Sequence, residues 1–122
     1  MPAPLSESSL DLREIGILNY AWPLNVVQSI VDLVHDRRVL MLGADTFVCD
    51  DGQIDLLYEI WSFRKSPERC AEDQLKENGR EAKDFISRLS REHKGCFVAF
   101  VLENGYFDLS GLPVNASATM LV

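Results

Sequence analysis

Two stretches of the chain repeat apolar residues at the spacing of an α-helix. The first opens with a proline, which suits the first helical position, and predicts a helix over about residues 23–36 with the stripe Leu24, Val27, Ile30, Val31 and Val34. The second opens with a capping Ser66 and Pro67 and predicts a helix over about residues 67–90. Its inner stripe is Ala71, Leu75, Asn78, Ala82, Phe85, Ile86 and Leu89.

Short apolar runs bounded by turn residues predict strands elsewhere. Residues 39–42, 46–49 and 54–63 form three, with a turn at 43–45, a hairpin turn at Asp51 and Gly52, and a bulge or break near Tyr58. Residues 97–102 and 106–109 form two more around a hairpin turn at Asn104 and Gly105. Tight turns between consecutive strands imply antiparallel pairing.

These elements predict an α+β fold: an antiparallel sheet of four to five strands packed on two helices, in the order helix-strand-strand-strand-helix-strand-strand. We expect one domain over residues 10–122, since a chain of 122 residues accommodates one core. Residues 1–9, rich in Pro and Ser, are expected to form a flexible N-terminal tail. Residues 114–122 show no pattern that assigns them.

The net charge of −7 is unevenly distributed. Residues 39–63 contain five acids and no Lys or Arg, whereas residues 64–94 contain nine bases and seven acids. An anionic patch argues against direct nucleic-acid binding and favours a basic protein partner, which it would steer into contact. Solubility alone is the competing explanation for the same residues.

Residues 39–63, which we call the acidic segment, supply the candidate partner-binding residues. Asp55, Glu59 and Trp61 fall on one face of a regular strand, where a Trp flanked by carboxylates suits a binding hot spot. In the competing interpretation Trp61 packs into the core, as Trp22 also would. The full candidate set is Asp45, Asp50, Asp51, Asp55, Glu59 and Trp61.

The sequence offers no catalytic or metal-binding set, so we expect no enzyme activity, no cofactor and no metal. His35 and His93 are isolated near predicted helix ends, and Cys49, Cys70 and Cys96 lack paired spacing and are expected to be buried or half-buried free thiols. The N-terminal residues show no secretory signal and no apolar run is long enough for a membrane helix, so we expect a cytoplasmic protein without membrane contact.

An ordered set of motifs within residues 17–89 resembles the Immunity protein 40 family of bacterial polymorphic toxin systems. The family pattern has an aromatic-Ala-Trp segment before the first helix, a strand into a Gly-Gly-Asp turn and an aromatic, a Trp strand, and Ser-x-x-x-Ala-x-x-Tyr-Ile in the second helix. The corresponding segments are 20–22 (YAW), 42–47 (LGADTF), 60–62 (IWS) and 78–86 (NGREAKDFI). Ala44, Asn78 and Phe85 replace Gly, Ser and Tyr, which calls a polar role at positions 78 and 85 into question.

The resemblance implies an immunity protein that binds a cognate toxin domain and neutralises it by occluding its active site. If the toxin is a nuclease, its substrate groove would be basic and the acidic segment would mimic phosphate there. The alternative is a stand-alone small-ligand or metal-binding domain, or an uncharacterised enzyme that uses Asp45 and Glu59 as paired carboxylates.

Overall fold

Two helices pack on one face of a five-stranded antiparallel sheet, in a computed structural model that describes residues 9–16, 19–103, 105–107 and 113–115. The α+β class predicted from the sequence is therefore confirmed. The expected N-terminal tail lies, apart from Ser9, outside the described residues. The elements are β1 (Leu10–Asp11), a 3-10 helix (Leu12–Ile15), β2 (Tyr20–Pro23), α1 (Leu24–Asp36), β3 (Met41–Asp50), β4 (Gln53–Ser62), α2 (Ala71–Glu92), β5 (Phe97–Leu102), β6 (Gly105–Phe107) and β7 (Pro113–Asn115).

The five strands lie in the order β1-β2-β5-β3-β4, so the late strand β5 is inserted between β2 and β3. Strands β6 and β7 form a separate two-stranded pair. The Asn104–Gly105 turn predicted from the sequence includes Asn104, which lies outside the described residues. No helix in the described part of the chain has the length and apolar content that crossing a membrane requires.

The main core lies between the helices and one side of the sheet, which we call the helix face. Trp22, Val98 and Phe100 of the strands are fully or almost fully buried there. They belong to one core cluster with the buried residues of α1 and with Phe85 and its buried neighbours on α2. The opposite side, the outer face, has a smaller cluster of Leu12, Ala21, Phe47, Ile54 and Ala99. The 3-10 helix, which carries Leu12, therefore covers part of the outer face.

The expected turn at residues 43–45 is wrong, because β3 runs without interruption from Met41 to Asp50. Gly43 pairs with Ser62 there, and a Cβ at Gly43 would lie 3.0 Å from the carbonyl oxygen of Trp61. The glycine thus permits close approach of β4 rather than a turn. Only two strands consequently separate the helices, and β1 and β2 precede α1.

The β3–β4 hairpin confirms the other two local predictions. Asp51 and Gly52 both have positive φ, at 51° and 79°, as the tight hairpin turn requires. Tyr58 has φ 66°, and the pairing register shifts between Asp45 and Phe47, so β4 is bulged at Tyr58. The hydroxyl of Thr46 donates to the carbonyl of Glu59 over 2.7 Å and stabilises this irregularity.

Helix α2 begins at Ala71, four residues after the predicted start at Pro67. Gln74 explains the delay, because its side chain accepts from the Ser66 amide at 2.7 Å and donates to the Arg69 carbonyl at 3.1 Å. These bonds hold residues 66–70 in a non-helical segment against the helix. The cap of α2 is Cys70, whose Sγ accepts weakly from the Asp73 amide at 3.4 Å.

A buried amide joins α2 to the sheet. Asn78 is 1 % exposed, and its side chain accepts from the Met41 amide at 2.9 Å and donates to the Met41 carbonyl at 2.8 Å. Position 78 therefore keeps a polar role although the serine of the family pattern is absent. Both bonds meet at the first residue of β3, so they fix how far α2 can slide along the sheet.

Asn78→Ala should lower the free energy of unfolding by about 2–4 kcal/mol, because it leaves the Met41 amide and carbonyl buried without partners. Urea unfolding followed by circular dichroism measures this. Asn25→Ala, at an exposed position of α1, is the control and should change stability by no more than about 0.5 kcal/mol. Equal stability of the two variants would show that the amide is dispensable.

Candidate partner-binding surface

The six residues predicted to bind a partner all lie on the β3–β4 hairpin, but the hairpin distributes them over three places. The outer face carries Asp45, which pairs with Ile60 on one side and Ala99 on the other. The turn carries Asp50 and Asp51. The helix face carries Asp55, Glu59 and Trp61.

The free end of the hairpin gathers Asp50, Asp51 and Asp55, which we call the acidic hairpin end. All three are exposed, and within the described residues none forms an ion pair with a basic side chain. Among the residues that the structure describes, the Asp55 carboxylate accepts from the Gln53 side chain alone, at 3.3 Å. Asp51 has a structural reason to be there, since aspartate tolerates the positive φ of the turn. The charges of Asp50 and Asp55 have no such role.

Glu59 is partly buried and has basic neighbours. Its carboxylate oxygens lie 3.6 Å from the guanidinium of Arg88 and 3.1 Å from Nε2 of His93. Both neighbours belong to the C-terminal part of α2 and its cap. Glu59 therefore ties β4 to the end of α2, and a partner would have to compete with these contacts to use its charge.

Trp61 is half-buried and packs towards the helices. Its ring stacks on Phe85 of α2 with centroids 6.4 Å apart and planes at 24°, and it also contacts Phe63. The Phe85 ring in turn carries the Arg88 guanidinium at 5.3 Å. Phe85 thus makes apolar and cation–π contacts where the family pattern has Tyr. Trp22 is completely buried in the core.

Two open grooves border α2, and both have mixed charge. One, of about 480 Å³, lies between the helices and is lined by His35, Lys76, Gly79 and Lys83 among others. The other, of about 400 Å³, lies between α2 and β4 above Trp61 and Phe85. Within the described residues no group of three or more His, Cys, Asp or Glu side chains could hold a metal ion.

An apolar patch on the outer face is absent from the sequence-based predictions. Ile60 is 65 % exposed, Val101 49 % and Leu56 41 %, and we call these three residues the outer apolar patch. The alternating positions Ile54, Leu56, Tyr58 and Ile60 of β4 are all apolar or aromatic, a pattern that resembles a buried strand face. The sequence does not identify the patch, because the exposure of these residues depends on β4 lying at the edge of the sheet.

The cysteines divide into two exposed thiols and one buried thiol. Cys49 and Cys70 are exposed, contrary to the expectation that all three would be buried or half-buried, whereas Cys96 is buried as expected. Cys49 lies opposite Ile54 on the outer face and Cys70 caps α2. Burial raises the pKa of the Cys96 thiol, which lowers its thiolate fraction at any given pH.

Together these features are typical of a small α+β protein-binding domain: one sheet face closed by helices, and unpaired carboxylates and exposed apolar side chains outside it. The model of the Immunity protein 40 family matches residues 11–102, from β1 through β5. The chain therefore belongs to the Immunity protein 40 family, which confirms and extends the resemblance noted within residues 17–89. Comparison with curated proteins and with solved structures finds no match.

Family membership makes the chain an immunity protein of a toxin system and implies a cognate toxin as its partner. It also favours a role without catalysis. Strand β5 lies within the matched region, so the family match includes the central part of the sheet as well as both helices.

In the native protein, Cys49 and Cys70 should react quickly with a thiol reagent, and Cys96 only after unfolding. Burial slows attack on Cys96 both by restricting access and by raising its pKa. Titration with a chromogenic disulfide before and after denaturation measures the two groups. Cys70→Ser and Cys49→Ser variants assign the fast reaction, and rapid modification of Cys96 would contradict the described packing.

Proposed function

We propose that this chain binds the cognate toxin domain of its system and neutralises it by covering the toxin's active site. The observation that carries the proposal is the acidic hairpin end, where exposed carboxylates lack ion-pair partners among the described residues. Family membership supplies the class of partner. The hairpin supplies the charge that such a partner would recognise.

Charge supports a basic toxin surface. The protein has a net charge of −7, and the unpaired carboxylates at the hairpin would attract a positively charged partner over the distance set by salt screening. If the toxin is a nuclease, its substrate groove must hold phosphates with basic side chains. Carboxylates placed at the end of a hairpin are suited to occupy such a groove in place of the nucleic acid.

Occlusion also requires a surface that keeps its shape on binding. Strand β3 is paired on both sides, the β4 bulge is held by Thr46, and α2 is fixed to β3 by Asn78. A preformed surface loses little conformational freedom when it binds, so more of its contact energy contributes to affinity. This arrangement favours simple coverage of the toxin's active site over a coupled folding mechanism.

The paired-carboxylate alternative finds no geometric support. Asp45 pairs with residues of the outer face, whereas the Glu59 carboxylate is bonded on the helix face to Arg88 and His93. The two groups lie on opposite sides of the sheet and do not form a common acid–base site.

Asp50→Lys combined with Asp55→Lys should slow association with the toxin domain by about tenfold or more at low salt, because it reverses the steering charge. The toxin probe is the C-terminal domain of the large secreted protein that we expect the neighbouring upstream gene to encode. Stopped-flow mixing over a range of salt concentrations measures the rate. Asp51 and Glu59 are left unchanged, since the turn and the Arg88 contact depend on them.

Asp36→Lys combined with Glu68→Lys is the matched control, since it changes net charge equally at exposed positions away from the hairpin. Equal slowing of both double variants would indicate a general charge effect and would remove the hairpin from the proposal. A wild-type chain that neither binds this domain nor protects cells expressing it would refute the function itself.

A further inference from the structure

We propose that the outer face of the sheet is the centre of the toxin contact. The Asp45 carboxylate on this face binds one basic side chain of the toxin, and the apolar side chains of Leu56, Ile60 and Val101 lie around it. The inference rests on the proposed function and deepens it. It names a surface that includes residues absent from the sequence-based set and states the chemistry that the toxin must present.

The pairing register places Asp45 in the middle of this surface. Ile60 lies directly across on β4 and Ala99 directly across on β5. Two residues along β3 towards the hairpin turn, Phe47 pairs with Leu56 of β4. Two residues in the other direction, Gly43 pairs with Val101 of β5. Neighbouring strands lie about 5 Å apart, so Ile60 is the apolar side chain nearest Asp45. Val101 and Leu56 lie beside the adjoining pairs, with the β4 bulge at Tyr58 between Leu56 and Ile60.

The exposure of the patch calls for a partner. A sheet covered on one face usually alternates apolar residues inside with polar residues outside, yet Ile60 and Val101 are 65 % and 49 % exposed. The outer-face cluster buries Leu12 with Ala21, Phe47, Ile54 and Ala99, and beside it Leu56, Ile60 and Val101 stay exposed in the described part of the chain. An apolar patch of this kind on a strongly acidic chain is typical of an interaction site.

Asp45 determines which partner fits. It is exposed, and the described residues provide it with no ion-pair partner. Covering the surrounding apolar residues would also remove water from its carboxylate, which is unfavourable unless the partner supplies a cation. An arginine or lysine therefore fits this position, and arginine best, because its guanidinium can bind both carboxylate oxygens.

A second copy of the chain fits poorly. A symmetric dimer through this face would bring two Asp45 carboxylates and two acidic hairpins together without a compensating base on the patch. The same face continues along β3 through Cys49 towards the acidic hairpin end. One basic partner can therefore contact the patch and the hairpin at once.

Asp45→Asn and Ile60→Ala are the test variants, and the toxin domain defined above is the probe. We expect Asp45→Asn to raise the Kd about 30-fold or more, mainly through faster dissociation, and Ile60→Ala to raise it about tenfold. Biolayer interferometry gives both rates. Thermal unfolding confirms that the variants fold like the wild type.

Matched controls lie outside the patch. Asp36→Asn removes an exposed carboxylate from the helix layer, and Gln28→Ala shortens an exposed side chain of α1. Both should bind within about twofold of wild type. Wild-type affinity for the Asp45 and Ile60 variants, or equal losses in the controls, would overturn the docking surface and leave the proposed function standing.

Two further outcomes are distinguishable. Sedimentation of the wild type alone should give a monomer, and a dimer that Ile60→Ala dissociates would overturn the inference in favour of self-association. A wild type without any affinity for the toxin domain would refute the proposed function and this inference together.

Discussion

The side-chain amide of Asn78 is the constraint on which the arrangement of this protein depends. A single buried residue of α2 satisfies both the amide and the carbonyl of Met41, where β3 begins. Either group left unpaired in the core would cost about 1–3 kcal/mol. The bonds therefore specify one position of the helix on the sheet, whereas the apolar contacts around them would tolerate several.

Fixing the helices closes the helix face and leaves the opposite side and the end of the hairpin exposed. Glu59 and Trp61 belong to the closed side, where one holds Arg88 and His93 and the other stacks on Phe85. Carboxylates without basic neighbours among the described residues remain at the turn and at Asp45. Glu59 has a structural role because α2 packs beside it, whereas Asp50, Asp51 and Asp55 lie at the free end of the hairpin and Asp45 lies on the outer face.

The local features of the fold were predictable because short-range chemistry determines them. Asp51 and Gly52 adopt the positive φ values that their turn requires. The helical stripes are buried as their spacing indicates, except for the half-buried Leu24 and the exposed Ala71. Gly43 misled the prediction, because a glycine needed for close approach of Trp61 has the same sequence signal as a turn. The start of α2 was placed too early because the Gln74 side chain, eight residues from Ser66, holds residues 66–70 outside the helix and competes with the Ser66 cap.

The candidate surface was predictable only in part. The acidic segment is visible in the sequence, but the insertion of β5 beside β3, which places Val101 near Asp45, depends on pairing between distant segments. The sequence also predicts a regular alternation that groups Asp55, Glu59 and Trp61. It does not reveal that α2 already occupies that side.

The most direct test of the account is an alkylation footprint of the complex with the toxin domain. Cys49 lies on the outer face beside the acidic hairpin end, and Cys70 lies at the start of α2; both are exposed. Mass spectrometry after a brief treatment with iodoacetamide, with and without toxin, reports each thiol separately. The account predicts that bound toxin slows modification of Cys49 at least about tenfold and leaves Cys70 unchanged, since a docked partner excludes reagent from the face it covers. Protection of Cys70 with full reactivity at Cys49 would place the toxin on the helix side and contradict it.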